Sequence, residues 1–400
     1  TPAHLAAMIG RCRGITPPPV SRKGRTVVSS YAKAVTIGGA PVIVGERINP
    51  TGKARFKQAL RENDMEYILR EGIAQQESGA HVLDVNVGLP EIDETERMTG
   101  VVRALQGVTD LPLQIDTSDG RAMEAAMRLY NGKPLINSVN GKQESMDMVF
   151  PLVKKYGGVM VALTLDEGGI PETAEGRLRI AEKIVRRAEA SGIDRRDILV
   201  DALTMTISTG AEAALVTLET VRRVKAELGV GTILGVSNIS FGLPQRENIN
   251  AAFYLMALQS GLDAAILNPN AEAMMKAYFS FRALSAQDEQ CGAYIARYAG
   301  AAPAAAPTAM AAEMGLREAI VRGLKERAYQ AAATQVKALA PLDIINDQLI
   351  PALDQVGQGF EKGTLFLPQL LMSAEAAKAA FEALKAHMDA AGQPPVKKDK

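Results

Sequence analysis

The chain has 400 residues, more than one hydrophobic core usually organises, so two domains are predicted, one of them large enough for a barrel. Lysine plus arginine and aspartate plus glutamate number 45 each, so no overall charge favours nucleic acid or an anionic membrane as a partner. Two distant cysteines, Cys12 and Cys291, and three histidines argue against a disulfide framework and against a metal site supplied by the protein.

No stretch of the sequence is typical of a membrane or secreted protein. No apolar run reaches the roughly 18 residues that a transmembrane helix needs, and the N-terminus lacks the apolar core of a signal peptide. With the cysteine usage, this predicts a cytoplasmic protein without a membrane partner.

The first segment, Thr1–Lys33, contains three consecutive prolines, Pro17 to Pro19, and a basic stretch after them. Apart from one short helix at its start, it has no sustained periodicity. Residues 1–35 are therefore interpreted as a linker and the remnant of a preceding domain.

From Pro41 onward, short runs rich in Val, Ile and Leu alternate with amphipathic stretches of helix length. This pattern is typical of parallel strands that are buried on both faces. Eight runs in about 250 residues match a closed (β/α)8 TIM barrel better than an open doubly wound sheet. We assign the barrel to residues 36–299. The predicted strands are Val42–Ile48, His81–Val87, Leu111–Thr117, Leu135–Val139, Val159–Thr164, Ile198–Leu203, Thr232–Ser237 and Ala264–Asn268.

An all-helical second domain is predicted after the barrel. Residues 300–311 are rich in alanine and proline, which can neither continue one helix nor build a core, and are interpreted as a linker. Residues 312–391 contain four amphipathic patterns with short connections, which predicts an antiparallel four-helix bundle. Residues 392–400 are expected to be a disordered tail. The helical patterns are Leu316–Leu324, Arg327–Leu339, Pro341–Phe360 and Leu367–Met388.

Polar residues follow the predicted strands, where a (β/α)8 barrel forms its active face. Taken singly, each is equally consistent with capping the next helix. Jointly they indicate a polar ligand, because carboxylates and amides at the ends of apolar strands are costly to bury unless something polar meets them. The set is Glu46, Asn49, Asp84, Asn86, Asp116, Asn137, Asn140, Asp166, Asp201, Asn238, Ser240 and Asn268.

The residue types at this face favour a pterin over a phosphate. A phosphate calls for a glycine-rich helix entry or for basic residues, and neither is prominent at these strand ends. An aminopyrimidinone ring presents neighbouring N–H donors and a carbonyl acceptor on one edge. A carboxylate can meet that edge with two oxygens, and an amide can meet it with both of its ends.

Five segments carry a family resemblance: Val44–Gly52, Leu83–Asn86, Gln114–Ser118, Ile136–Val139 and Gly235–Pro244. In this order they resemble the pterin-binding methyltransferase domain of the cobalamin-dependent methionine synthase family, over roughly residues 41–298. The resemblance implies a barrel that binds 5-methyltetrahydrofolate as its substrate and transfers the N5 methyl group to cob(I)alamin, one half-reaction of methionine synthesis.

The resemblance also implies roles for single residues. Asp116, Asn137 and Asp201 would hold the pterin ring, and Asn238 would lie beside N5, where an amide can serve a protonated or a neutral nitrogen. Asn238 and Asp201 are the catalytic candidates; the proton source stays open between one residue and a water network through Asp166 or Asp201. The expected folate-binding set is Glu46, Asn49, Asp84, Asn86, Asp116, Asn137, Asp166, Asp201, Asn238, Ser240, Arg246 and Asn268.

The segment Gly359–Gln369 resembles the cobalamin cap of the same family, a four-helix module. There, the residues matching Phe360 and Leu367 press on the upper face of cobalamin; the alternative is that both are ordinary core of the bundle. The family's homocysteine, cobalamin and activation domains are not represented. The chain is therefore expected to be a two-domain piece of a longer enzyme, with its remaining domains as partners and cobalamin held mainly by an absent domain.

Two other functions stay open. Dihydropteroate synthase shares the barrel and the pterin pocket, but it displaces pyrophosphate and would need a basic cluster, whereas the Asn238 loop carries only Arg246. A non-catalytic scaffold that binds a pterin or a corrinoid within a larger methyltransferase would bind folate and transfer nothing.

Overall fold

A computed structural model describes residues 1–16, 24–299, 315–362, 364–365 and 367–390. The chain divides into two compact units, Thr1–Tyr278 and Phe279–Lys400. Residues 279–299, expected at the end of the barrel domain, are thus grouped with the second unit. The expected linker at 300–311 and the expected tail at 392–400 lie outside the described residues.

Residues 1–35 were expected to be a linker and a domain remnant, but the part directly before the barrel is folded. An antiparallel hairpin consists of β1 (Thr26–Ser29) and β2 (Ala34–Ile37). It is attached to the barrel by two backbone hydrogen bonds, from Ser29 N to Lys133 O at 2.8 Å and from Lys133 N to Ser29 O at 3.0 Å. This hairpin is not predicted by the sequence pattern, because four-residue strands are too short to be recognised without their partner.

Eight parallel strands close into a barrel in the order β10-β3-β4-β5-β6-β7-β8-β9, which confirms the predicted TIM barrel. All eight predicted runs form strands, although several are shorter than expected at their ends. The strands are β3 (Val42–Ile48), β4 (Val82–Val85), β5 (Leu113–Asp116), β6 (Leu135–Asn140), β7 (Val159–Leu163), β8 (Ile198–Asp201), β9 (Gly231–Gly235) and β10 (Ala264–Leu267).

Helices alternate with the strands of the barrel; α1 precedes all the strands, and α10 begins in the first unit and ends beyond Tyr278. Several begin at a side-chain cap that accepts a hydrogen bond from a free backbone N–H, including Asp64, Asp93, Asp119 and Thr173. The helices are α1 (Pro2–Cys12), α2 (Ala54–Glu62), α3 (Met65–Glu77), α4 (Glu94–Leu105), α5 (Gly120–Leu129), α6 (Gln143–Tyr156), α7 (Ala174–Ala190), α8 (Ala213–Arg223), α9 (Arg246–Gln259) and α10 (Glu272–Leu284), with short 3-10 or π turns at Arg195–Asp197, Val224–Leu228 and Val236–Ser240.

The barrel interior changes from apolar to polar along its axis. Its N-terminal half is filled by residues such as Val44, Val82 and Leu135, which pack against Val28 and Val35 of the hairpin. The hairpin therefore closes the floor of the barrel. Because side chains alternate along a strand, the residues two positions after Val44, Val82 and Leu135 also point inward, and these are the polar residues Glu46, Asp84 and Asn137.

Gly132 provides a test of how the hairpin meets the barrel. Its φ is 150°, and a Cβ added there would lie 2.2 Å from the Ser29 carbonyl oxygen. We expect Gly132→Ala to lower the free energy of unfolding by about 2 kcal/mol, because a backbone contact of this kind cannot move aside easily. Urea denaturation measures the change. Gly100→Ala in α4, where nothing lies within 4 Å of the added Cβ, is the matched control and should be slightly stabilising. Equal losses in the two variants would contradict this account.

The second unit is helical, as predicted. It begins at Phe279 within α10, and the 3-10 turn Glu289–Cys291, α11 (Gly292–Tyr298) and the four predicted amphipathic segments follow. Small residues on α13 and α16, among them Ala332, Ala376 and Ala380, are buried between these two helices and allow close packing. The segments are α12 (Leu316–Val321), α13 (Lys325–Gln335), α14 (Pro341–Ile344) with a π turn (Ile345–Leu349) and α15 (Ile350–Glu361), and α16 (Leu367–Ala390). Among the described residues, no helix is both long and apolar enough to span a membrane.

Candidate functional site

The polar ends of the strands meet at the C-terminal mouth of the barrel. Strand register pairs Asp84 of β4 with Gln114 of β5, and Asp116 of β5 with Asn137 of β6. Asp201 ends β8, which lies two strands beyond β6 in the barrel. The closed barrel thus brings together residues that are far apart in the sequence, as the strand-end argument predicted.

Asp84 forms the deepest polar layer and is almost fully buried. Its Oδ1 accepts a hydrogen bond from Gln114 Nε2 at 2.7 Å, and its Oδ2 accepts a longer one from Asn49 Nδ2 at 3.5 Å. Burial raises the pKa of Asp84 well above its usual range, and the nearby Asp116 carboxylate raises it further. Both oxygens of Asp84 already have protein partners. Gln114 was missed as a site residue, although it opens the Gln114–Ser118 segment on which the resemblance depends.

Asp116 lies above this layer with one oxygen occupied. Its Oδ2 accepts a hydrogen bond from Asn86 Nδ2 at 3.0 Å, and Asn86 is itself held by the Gly88 N–H at 3.0 Å. Within the described residues, Asp116 Oδ1 makes no hydrogen bond. Burial raises the pKa of Asp116 to about 6, with a smaller contribution from the Glu94 carboxylate. Asp116 therefore has one oxygen available to a ligand.

Asn137 is the neighbour of Asp116 on β6 and is half-buried. Its backbone carbonyl accepts a hydrogen bond from Thr117 N at 2.9 Å. Its side-chain amide forms no hydrogen bond with any residue in the described ranges. A carboxylate oxygen and a complete amide are thus adjacent and unused, which suits a ligand edge that carries both donors and an acceptor.

Asp201 is buried with one oxygen engaged. Its Oδ1 accepts a hydrogen bond from Leu203 N at 2.7 Å. Burial raises the pKa of Asp201 to about 7, although this N–H and the positive charge of Arg177 both act in the opposite direction. In the part of the chain that the structure describes, Asp201 Oδ2 has no hydrogen-bond partner. Asp116 and Asp201 are therefore both carboxylates with one oxygen fixed and the other free.

Asn238 is carried by the 3-10 turn Val236–Ser240, which other side chains hold in place. The Ser237 hydroxyl lies 3.1 and 3.2 Å from the two carboxylate oxygens of Glu46. Arg246 donates from Nη2 to Ser237 O at 2.6 Å and from Nε to Ser240 Oγ at 3.0 Å. The Asn238 side chain is exposed and makes no hydrogen bond with a described residue. Glu46, Ser240 and Arg246, which were expected to contact folate, are all engaged in holding this turn.

Lys53 was also missed by the sequence analysis. Its ammonium group donates to the backbone carbonyl of Glu46 at 2.7 Å and to that of Asn49 at 3.3 Å, closing the loop after β3. Burial lowers the pKa of Lys53 and raises that of Glu46, and the attraction between the two charges opposes both shifts. The signal that could have identified Lys53 is its position, because it directly follows the Val44–Gly52 segment on which the resemblance depends.

Several strand-end residues form turns. Asn49, Asn140, Asp166 and Asn268 each accept a hydrogen bond at their side-chain oxygen from the backbone N–H two residues further on, at distances of 2.9 to 3.1 Å. This geometry is typical of Asx turns. These four side-chain oxygens therefore stabilise turns, whereas the alternative weighed against ligand binding was a cap on the following helix.

In the second unit, Phe360 lies near the end of α15 with 42% of its surface exposed. It therefore does not belong to the buried core of the bundle, which was the alternative interpretation. An exposed aromatic ring is a suitable contact for the apolar face of a corrinoid. The side chain of Leu367 lies outside the described residues.

Two protein families match the chain. The pterin-binding enzyme family matches residues 45–268, and a B12 binding domain family matches residues 313–385. The methionine synthase of Mycobacterium tuberculosis (strain ATCC 25618 / H37Rv) is 29% identical over 421 residues, which cover 97% of this chain and 35% of that protein. The methylcorrinoid:tetrahydrofolate methyltransferase of Eubacterium limosum is 32% identical over 259 residues, covering 63% of this chain and 94% of that protein. The chain thus spans about a third of the length of the methionine synthase it matches.

Solved structures with a similar barrel include two dihydropteroate synthases. The enzyme of Xanthomonas albilineans in complex with 7,8-dihydropteroate has a TM-score of 0.51 at 21% identity, covering 65% of this chain and 99% of that one. The enzyme of Yersinia pestis has a TM-score of 0.51 at 16% identity, covering 66% of this chain and 100% of that one. At these identities the similarity concerns the fold alone.

Proposed function

The chain belongs to the pterin-binding enzyme family, and on this premise we propose that its barrel transfers the N5 methyl group of 5-methyltetrahydrofolate to cob(I)alamin. The observation that carries the proposal is the unused hydrogen-bonding capacity of Asp116, Asn137 and Asp201 at one mouth of the barrel. The match of residues 313–385 to a B12 binding domain supports a corrinoid as the second reactant.

In this proposal, the pterin ring is held by its polar edge. The free oxygens of Asp116 and Asp201 accept hydrogen bonds from ring N–H and amino groups, and the Asn137 amide serves a neighbouring donor and acceptor. Asp84 and Asn86 contribute indirectly, because they fix the layer beneath and beside Asp116. Ionised carboxylates bind such donors best, so folate binding should require that Asp116 and Asp201 lose their protons.

Cleavage of the methyl–N5 bond is difficult because N5 leaves as an amide anion unless it is protonated or stabilised as the bond breaks. The reduced corrinoid, when bound, supplies the nucleophile. The chain's own residues orient the folate, stabilise charge at N5 and exclude water. Asn238 is proposed for N5 because its exposed amide sits on a turn that Glu46 and Arg246 already hold rigid.

The second unit is proposed as a cover for the corrinoid, with Phe360 and Leu367 facing it. The larger relatives support further domains as partners, since this chain corresponds to about a third of them. A cytoplasmic location belongs to the same proposal, because Cys12 and Cys291 are both free thiols.

A second candidate is the same transfer in the opposite direction. The name of the Eubacterium limosum relative gives a methylated corrinoid as the donor and tetrahydrofolate as the acceptor. Both directions need the same two binding sites, so the residues of the barrel do not discriminate between them. Dihydropteroate synthesis is less well supported, because the basic residue of the Asn238 loop, Arg246, is engaged with Ser237 and Ser240.

The test is a direct assay with free corrinoid as substrate. Under anaerobic conditions, the chain is mixed with methyltetrahydrofolate and cob(I)alamin, and the cobalamin spectrum is followed. We expect conversion to methylcobalamin at a rate proportional to protein concentration and above a protein-free blank. A methylated corrinoid with tetrahydrofolate tests the reverse direction in parallel.

Three other results would each point elsewhere. Folate binding by calorimetry without transfer in either direction, even when a cobalamin domain is added separately, would favour the non-catalytic scaffold. Pyrophosphate release from a pterin pyrophosphate in the presence of 4-aminobenzoic acid would favour dihydropteroate synthesis. Failure to bind any reduced folate would reject the proposal.

A further inference from the structure

Arg177 on α7 is a buried cation beside the candidate site, with 3% of its surface exposed. Its Nη1 donates to Ala202 O and Leu203 O, both at 2.8 Å, and to Thr217 Oγ1 at 3.2 Å. Its Nε donates to Pro171 O at 2.9 Å. One guanidinium group therefore joins the loop after β7, the loop after β8 and helix α8.

This arrangement is unusual for a buried charge. Within the described ranges, every hydrogen bond of Arg177 goes to a carbonyl or hydroxyl oxygen and none goes to a carboxylate. Burying a cation without an ion pair costs free energy. An apolar side chain of similar size could fill the same space at a lower cost, so packing alone does not explain an arginine here. The nearby negative charge is that of Asp201, which Arg177 stabilises at a distance.

Leu203 connects the two residues through the backbone. Its φ of 59° lies in the left-handed region, which costs a non-glycine residue about 1 kcal/mol. In this conformation its N–H points back to Asp201 Oδ1 at 2.7 Å, while its carbonyl accepts hydrogen bonds from Arg177 Nη1 and from Thr217 Oγ1 at 3.1 Å. The guanidinium group thus holds the residue that holds the carboxylate.

We propose that Arg177 is a positioning residue for the pterin site, which orients the Asp201 carboxylate through the Leu203 backbone and stabilises its negative charge. The inference builds on the proposed function, because Asp201 is there the carboxylate that accepts a pterin N–H. Burial raises the pKa of Asp201, whereas the Leu203 N–H and the positive charge of Arg177 both lower it.

The test compares three variants across pH 5.5 to 8.5. Arg177→Gln removes the charge, Arg177→Lys keeps it without the planar fork, and Arg179→Gln is the control, since Arg179 is exposed on the same helix and forms no hydrogen bond with a described residue. Calorimetry measures methyltetrahydrofolate affinity. Carbon-13 NMR of the ligand-free chain follows the Asp201 carboxylate.

Loss of the cation should raise the pKa of Asp201. For Arg177→Gln we therefore expect the midpoint of the affinity profile to move up by about one pH unit, which lowers affinity at pH 7 roughly fivefold because Asp201 titrates at about 7 in the wild-type chain. Arg177→Lys should weaken binding without moving the midpoint, because the charge is kept. Arg179→Gln should match the wild-type chain. A purely structural role for Arg177 would lower affinity without any change in the midpoint or in the Asp201 titration.

An Asp201 titration in Arg177→Gln that equals that of the wild-type chain would overturn the inference. If Arg177→Gln does not fold, as judged by circular dichroism, Thr217→Val keeps the charge and removes one donor to Leu203 O, and it should weaken folate binding a few-fold. In that case, unchanged folate affinity in both Thr217→Val and Arg177→Lys would overturn the proposed positioning role of Arg177. A wild-type chain that titrates as expected but binds no folate would instead reject the proposed function.

Discussion

Replacing Asn238 with alanine is expected to slow methyl transfer by about 100-fold or more while changing folate affinity only a few-fold. The proposed contact with N5 strengthens as the methyl–N5 bond breaks, and removal of one such preorganised group typically costs this much in rate. The pterin edge is held by Asp116, Asn137 and Asp201, so ground-state binding should largely persist. Single-turnover kinetics and calorimetry measure the two effects separately.

The fold of this variant should be unaffected, because the Val236–Ser240 turn is held by Glu46 and Arg246 and not by Asn238 itself. Asn248→Ala is the matched control, since Asn248 is an exposed asparagine on α9 whose side chain, among the described residues, bonds only to Gln245. It should transfer at the wild-type rate. Equal losses of rate and of affinity in Asn238→Ala would assign Asn238 to binding and contradict the proposed role.

Replacing Asp116 with asparagine is expected to lower folate affinity by roughly 10- to 100-fold, the usual worth of a hydrogen bond to a charged group. The free oxygen of Asp116 would become either a neutral acceptor or an NH2 group that opposes a ligand N–H. Glu91→Gln, an exposed carboxylate-to-amide change in the loop after β4, is the control and should bind normally. Calorimetry at a pH near 7.5 gives the comparison, and an Asp116→Asn chain that binds like the wild type would remove Asp116 from the site.

The pH dependence follows from the same two carboxyl groups. Burial raises the pKa of Asp116 to about 6 and that of Asp201 to about 7, so the ligand-free fold favours their protonated forms. Their contribution to stability is therefore present at low pH and is lost as pH rises through these values. Folate needs the ionised forms, so its affinity should rise over the same interval. In Asp116→Asn, the part of that rise near pH 6 should disappear.

The strand pattern of the barrel was predictable because each strand is an uninterrupted apolar run between amphipathic helices. The hairpin Thr26–Ile37 was not predictable. Its strands are short, and their apolar residues are buried only by contact with the barrel floor, which lies far away in the sequence. Similarly, the site was predictable as a set of strand-end Asp and Asn residues. Their division into ligand-facing and supporting residues was not, since Asp84 and Asp116 are alike in the sequence and differ only in what surrounds them.

By itself, the sequence determined the eight strands, the helical second unit and the polar residues at the strand ends, because these follow from local periodicity and from residue type. The tertiary structure decided which oxygens of Asp116 and Asp201 stay free, and it placed Arg177 and Leu203 around Asp201. Hydrogen-bond partners and the pKa of a buried carboxyl group depend on neighbours from other strands and helices. A local sequence pattern does not show which residues from other strands and helices become those neighbours.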